Sequence, residues 1–177
     1  MKRQDLAKNI FKTSHLTGEF KLRSGLVSNE YFDKYRFESQ PELLKEIAEH
    51  LKDLVPKDTE VLAGLEMGGI PIATALSFVT GLPVAFIRKE AKDYGTCLFA
   101  EGVEIKGKKL LIVEDVITTG GQVVSSTHDL RQAGALIESV VCVIYRGEGE
   151  PTRLHDKQLQ MHSLFTMPEL KTAGQNQ

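Results

Sequence analysis

Four short apolar runs constrain this chain more than any other feature. Residues 61–65 (VLAGL), 84–87 (VAFI), 109–113 (KLLIV) and 138–145 (ESVVCVIY) are each of strand length and close to continuously apolar. Alternation would mark strands with one wet face. Continuous runs suit strands buried on both faces, as in a parallel sheet covered by helices. Between them lie helical segments, Pro71 to Thr80 stopped by Gly81 and Gln122 to Ala133 closed by Gly134. Upstream, an amphipathic helix is expected from Asp5 to Ser14, with Leu6, Ile10 and Phe11 on one face. Residues 18–37 read as short strands and turns rich in aromatics. Ser39 followed by Glu42 has capping-box spacing, so a further helix should start near Pro41, with Leu43, Leu44, Ile47, Leu51 and Leu54 along one face. The order predicts one α/β domain over 1–177, with a mainly parallel twisted sheet over 56–147 and helices on both faces.

Composition narrows the class of function. Hydrophobic residues at 41% and charged residues at 26% suit a globular chain with a real core, and a net charge of −2 gives no electrostatic case for nucleic acid. Met67 to Ile87 carries no charge, but Gly68, Gly69, Pro71, Gly81 and Pro83 interrupt it, so a helix followed by a strand is expected instead of a membrane span. The opening MKRQDLAKNIF has charges throughout and no apolar signal region, and Cys97 and Cys142 lack metal-type spacing; reduced thiols and a cytoplasmic location are the expectation. The five histidines lack the H-E-x-x-H spacing, and neither a P-loop nor a G-x-G-x-x-G pattern occurs.

In an α/β sheet, ligands bind beyond the carboxyl ends of the strands. Four segments fall there: EMGG, RKEAKDYG, EDVITTGG and RGEGE. The third is the most informative. Gly120 and Gly121 allow a tight turn that points successive N–H groups inward at a helix N-terminus, an arrangement suited to phosphate, and Thr118 and Thr119 add hydroxyls. Glu114 and Asp115 would repel a bare phosphate but accept hydrogen bonds from a ribose diol. A ribose 5-phosphate satisfies both halves. Arg88, Lys89 and Lys92, followed by Gly95, form a candidate anion clamp, and residues 89–108 suit a lid. Arg146 follows the last strand and can reach the same mouth.

Residues 110–122 (LLIVEDVITTGGQ) resemble the phosphoribosyl-pyrophosphate motif of the type I phosphoribosyltransferases. FKLRSGLVSNEYFD, GGIPIA, FIRKEAKDYG and VIYRGE are together similar to the orotate phosphoribosyltransferase family. The resemblance implies the type I phosphoribosyltransferase fold with a small N-terminal hood, to which residues 1–40 contribute. It implies transfer of the 5-phosphoribosyl group from phosphoribosyl pyrophosphate to orotate, giving orotidine 5′-phosphate and pyrophosphate in pyrimidine biosynthesis. A purine or another pyrimidine as the base, or a non-catalytic nucleotide sensor, are the alternatives. The cofactor implied is Mg²⁺, held mainly by substrate and water with no protein cage, and the assembly a homodimer sharing its lid loop.

Residue by residue, the resemblance assigns Glu114, Asp115, Val116, Ile117, Thr118, Thr119, Gly120, Gly121 and Gln122 to the ribose-phosphate site. It assigns Arg23, Arg88, Lys89, Lys92 and Tyr94 to the pyrophosphate end. Tyr31, Phe32, Thr118 and Arg146 match orotate-binding positions. Lys92 is the expected catalytic residue, reaching a neighbouring subunit and stabilising charge on the departing pyrophosphate, with Glu114 and Asp115 beside it in the catalytic set. The chain departs from the family pattern at Tyr94, commonly histidine, at Glu114, more usually aspartate, and at Gly68, where many members carry lysine. Residues 148–177 contain no motif.

Overall fold

A computed structural model describes residues 1–21, 25–89 and 99–175. The chain opens with α1 (Arg3–Ser14), followed by an antiparallel ribbon of β1 (His15–Lys21) and β2 (Val27–Phe32). Then come α2 (Lys34–Glu38), α3 (Pro41–Leu51), β3 (Val61–Leu65), α4 (Gly69–Thr80) and β4 (Val84–Ile87). The rest is β5 (Ala100–Glu101), β6 (Lys109–Ile117), α5 (Gly121–Gln132), β7 (Leu136–Tyr145), α6 (Thr152–His155), β8 (Gln160–Thr166) and α7 (Met167–Gln175).

Six strands form one sheet in the order β5-β4-β3-β6-β7-β8, parallel except for the short edge strand β5. Alternate residues of the central strands face two separate cores. Leu62, Leu111, Val113 and Val141 pack with Leu6 and Ile10 of α1, Ile47 of α3 and Ile72 of α4. Val61, Ala63, Ile112 and Val140 pack with Val123 and Leu130 of α5 and Leu154 of α6. The fully buried residues on both sides explain the unbroken apolar runs in the sequence. Cys142 lies in the second core, and burial pushes its thiol well above the ordinary range. From β3 the chain passes outward to β4, then returns across to β6 and continues outward to β8. The crevice between the carboxyl ends of β3 and β6 is therefore the switch point of the sheet.

Several local expectations are corrected. Ser39 does not cap α3: it sits at the end of α2, its hydroxyl donates to the Arg36 carbonyl at 3.0 Å, and Gln40 holds the N-cap without a side-chain bond. Residues 34–38 are helical because the Asp33 carboxylate accepts the Tyr35 N–H at 3.2 Å and starts a turn. The strand expected at 109–113 runs on to Ile117, since β7 pairs with it through Tyr145. Strand β8 and helices α6 and α7 fill the segment that lacked a motif. Within residues 1–40, α1 and Phe37 of α2 pack into the first core, and Phe32 at the end of the ribbon packs against it.

Helix α7 and strand β8 close the first core. Phe165 is fully buried, and the Arg3 guanidinium lies 4.6 Å from its ring centre. Phe165→Ala should therefore cost about 3–5 kcal/mol. Urea midpoints of the two proteins measure this; a loss under about 1 kcal/mol would contradict the packing described.

Candidate functional site

The β3–α4 turn lies unusually close to β6. A Cβ placed on Gly69 would stand 2.2 Å from the Val113 carbonyl oxygen, and one on Gly68 would stand 1.8 Å from Asp115 Oδ2. Backbone and carboxylate occupy that space, so no side chain fits there. This gives a local reason for the departure at Gly68: a lysine on this backbone would collide with Asp115. The Glu66–Met67 peptide of the same turn is cis.

Alternation along β6 turns Asp115 to the same face as Val113, toward α2 and α4. Asp115 has no exposed surface. Its Oδ1 accepts the Val116 N–H at 2.6 Å, and Lys34 Nζ lies 2.5 Å from Oδ2. The ammonium so placed pairs the buried Oδ2 with a positive charge. Glu38, one helical turn beyond Lys34, is also buried. Burial first, then the hydrogen bond and charge of Asp115, push its carboxyl up to about 9. Burial and the charge of Asp115 likewise push Glu114 up to about 8. For Asp115 burial opposes ionisation, but the hydrogen bonds of Glu38 and Lys34 and the lysine's charge outweigh it and hold its carboxyl below the usual range. Burial also works against a charged Lys34, and its bond with Asp115 outweighs that. One carboxylate, one ammonium and two proton-holding acids thus share the end of β6.

On the opposite face, Gly120 adopts φ 71° and α5 begins at Gly121. Leu154 of α6 sits beneath the turn, where a Cβ at position 120 would come within 2.8 Å of its methyl. The first N–H groups of α5 have no partner within the helix and point out of its end. Gln122 turns its side-chain amide back to Ser126 Oγ at 3.1 Å, leaving its backbone N–H for the turn. Thr118 and Thr119 are exposed beside it. They line a cavity of about 410 Å³ with Gly120, Arg146 and Arg153. Arg146 is fixed by its N–H, which donates to the Ile117 carbonyl at 2.8 Å. It also lines an adjoining cavity of about 200 Å³ with Tyr31 and Phe32 of the ribbon, Phe11, His15 and Lys171. Glu30 receives both His15 at 2.9 Å and Lys171 at 2.8 Å, tying the ribbon to α7.

Arg88 follows β4 and lies 3.4 Å from Glu101 of β5, so an incoming anion must compete with that carboxylate; Lys89 beside it is exposed. Arg23, Lys92, Tyr94 and Cys97 lie outside the described residues. A larger cavity, about 600 Å³, opens at the other end of the sheet between Pro56, Lys109 and Glu138. Its cations are already engaged, Lys109 with Asp58 and Arg131 with the carbonyls of Lys157 and Ile137. The switch point, where unmet donors and the acidic end of β6 converge, is the better candidate. Sequence reasoning missed Lys34 and Glu38, although Asp33 ahead of KYRFE is a helix-start signal, and it missed Arg153 and Lys171, which carry no motif.

The buried acids set a pH dependence. Between the ordinary 4.5 and about 9, folded Glu38 keeps a proton that the unfolded chain releases. The folded state then binds more protons, so stability falls as pH rises through that window. Glu38→Gln should flatten the fall. Urea midpoints from about pH 5 to about pH 9 test it, and an unchanged slope would exclude Glu38 as the proton holder.

Comparison with known proteins agrees with this fold. The family model for the phosphoribosyl transferase domain matches residues 35–167. The orotate phosphoribosyltransferase of a Nocardioides species is 47% identical over 168 residues, covering 95% of this chain and 94% of that one. Crystal structures of Mycobacterium tuberculosis orotate phosphoribosyltransferase superpose well. The complex with Fe(III) dicitrate gives a TM-score of 0.86 at 29% identity, covering 95% of this chain and 98% of the other. The complex with 5-phospho-α-D-ribosyl 1-diphosphate gives 0.81 at 26%, covering 96% and 98%. A parallel sheet with its crevice at the β3–β6 switch point, a glycine turn opening α5 and relatives matched along nearly the whole chain lead to one assignment: this protein belongs to the orotate phosphoribosyltransferase family.

Proposed function

We propose that this protein transfers the 5-phosphoribosyl group of phosphoribosyl pyrophosphate to orotate, releasing pyrophosphate and forming orotidine 5′-phosphate for pyrimidine biosynthesis. The observation that carries the reading is Arg146, which lines both the cavity at the glycine turn and the cavity beneath the ribbon. A cation shared by a phosphate cup and an aromatic-lined recess suits a phosphorylated sugar next to a planar anionic base.

On this reading the 5-phosphate sits on the N–H groups of Gly120, Gly121 and Gln122 and the hydroxyls of Thr118 and Thr119, with Val116 and Ile117 shaping the approach. Glu114 and Asp115 take the ribose diol. Orotate lies against Tyr31 and Phe32, with Thr118 and Arg146 on its polar edge. As the bond from C1′ to the diphosphate opens, positive charge builds on the sugar and orotate N1 attacks. No protein nucleophile takes part; positioning and electrostatics supply the rate. Arg23, Arg88, Lys89, Lys92 and Tyr94 belong to the diphosphate end, with Lys92 countering the negative charge that develops there.

Mg²⁺ belongs to the same proposal, carried in by the donor's phosphate oxygens and water. Among the described residues no group of three or more His, Cys, Asp or Glu side chains is arranged to hold a metal ion. A cytoplasmic homodimer completes the reading. Phe78 on α4 is 86% exposed, and Leu26 and Val27 are exposed elsewhere on the chain, apolar side chains of the kind a second subunit would cover.

The direct test is loss of orotate absorbance with Mg²⁺ and phosphoribosyl pyrophosphate. Turnover of uracil or a purine but not orotate would replace the base assignment, and no turnover of any base would favour a sensor. Arg146→Ala should weaken orotate binding by about 1.5–3 kcal/mol, roughly ten- to hundredfold, with little change for the donor. Equal weakening of both substrates would remove Arg146 from the base site. Lys92→Ala should cost ~2.7–4 kcal/mol in turnover while ribose 5-phosphate still binds; unchanged turnover would exclude its catalytic role.

A further inference from the structure

Asp115 cannot meet a ribose hydroxyl while Lys34 stands where it does. Oδ1 is bonded to the Val116 N–H, and Oδ2 is covered by Lys34 on one side and the Gly68 backbone on the other. Gly68 belongs to a turn wedged against β6, whereas Lys34 is a long side chain on a five-residue helix and is one-third exposed. Lys34 is therefore the cover that can move.

We propose that Lys34 is a further donor-binding residue, which neutralises Asp115 in the empty site and passes to the donor's diphosphate when the ribose diol takes its place. The proposal rests on the phosphoribosyl-transfer reading above. Two neutral hydroxyls are a poorer partner for a buried carboxylate than an ammonium, and an ammonium pulled from its carboxylate must find another anion. The donor brings one to the right place. The exchange assigns the C2′ hydroxyl to Asp115, and the diphosphate is attached at the neighbouring carbon, C1′. A lysine displaced by that hydroxyl is thus adjacent to the diphosphate. Glu38 supports the exchange: buried one helical turn beyond Lys34 and holding its own proton, it adds no second negative charge beside Asp115 when the ammonium leaves. No bond is made or broken in the exchange; only ion-pair partners change.

The test compares two ligands that differ by the diphosphate, phosphoribosyl pyrophosphate and ribose 5-phosphate, by titration calorimetry without any base. Lys34→Met should lose about tenfold or more in affinity for the first, the scale of one charge-assisted hydrogen bond, and none for the second. Lys34→Arg should restore most of the difference. Lys34→Met leaves Asp115 buried without its cation, so the same ratio is also read in Lys34→Met/Asp115→Asn, where no charge is stranded. Equal losses for both ligands would reduce Lys34 to a structural plug, and undiminished donor affinity would also overturn the proposal. Since the ratio involves no base, a wild-type protein that fails to turn over orotate sinks the functional reading separately. A wild-type protein that turns over orotate while the ratio stays unchanged in the variants sinks the exchange alone.

Discussion

The site depends on how closely the β3–α4 turn lies against the end of β6. Gly69 lets two main chains approach until no side chain fits between them, and at Gly68 the Asp115 carboxylate takes the space a side chain would need. That contact seals one flank of Asp115 and leaves the other to α2. It also closes one side of the switch-point crevice. A larger residue at either position would force the turn away from β6 and separate the loops that converge there.

The site brings opposite electrical demands within a few residues. The turn at Gly120 offers positive backbone dipoles, while the strand just before it ends in two acids. β6 separates the two by sending Asp115 to the α2 face, while α5 opens on the other. Burial then limits the negative charge. Glu38 and Glu114 hold protons in the neutral range, and Asp115 stays ionised beside an ammonium. The cluster is therefore close to neutral, although three carboxyl groups meet there.

Much of this was legible in the sequence, for identifiable reasons. Strands Val61–Leu65 and Val84–Ile87 fall where the apolar runs place them, because strands buried on both faces leave a compositional mark that neighbours cannot disguise. Helix α4 starts two residues earlier than expected, at Gly69, because a glycine reads as a breaker even where its φ is helical. Ser39 misled because a cap signal cannot tell which of two adjoining helices it serves. Strand β8 was missed because QMHSLFT mixes polar and apolar residues and lies at a sheet edge, buried only in its last part. In the site, the glycine turn and acidic pair were readable as a local motif. Lys34 was not, because its meaning comes from Asp115, far along the chain and brought near only by the fold.

Gly120 has consequences for how such motifs are interpreted. Its backbone angle and the Leu154 methyl beneath it each disfavour a side chain, whether or not any ligand is present. Part of the fingerprint is therefore a record of architecture, written by the polypeptide's own fit to itself. A descendant that abandoned its chemistry would still be pressed to retain this glycine, so a search on that letter alone would gather retired copies of the scaffold alongside working ones.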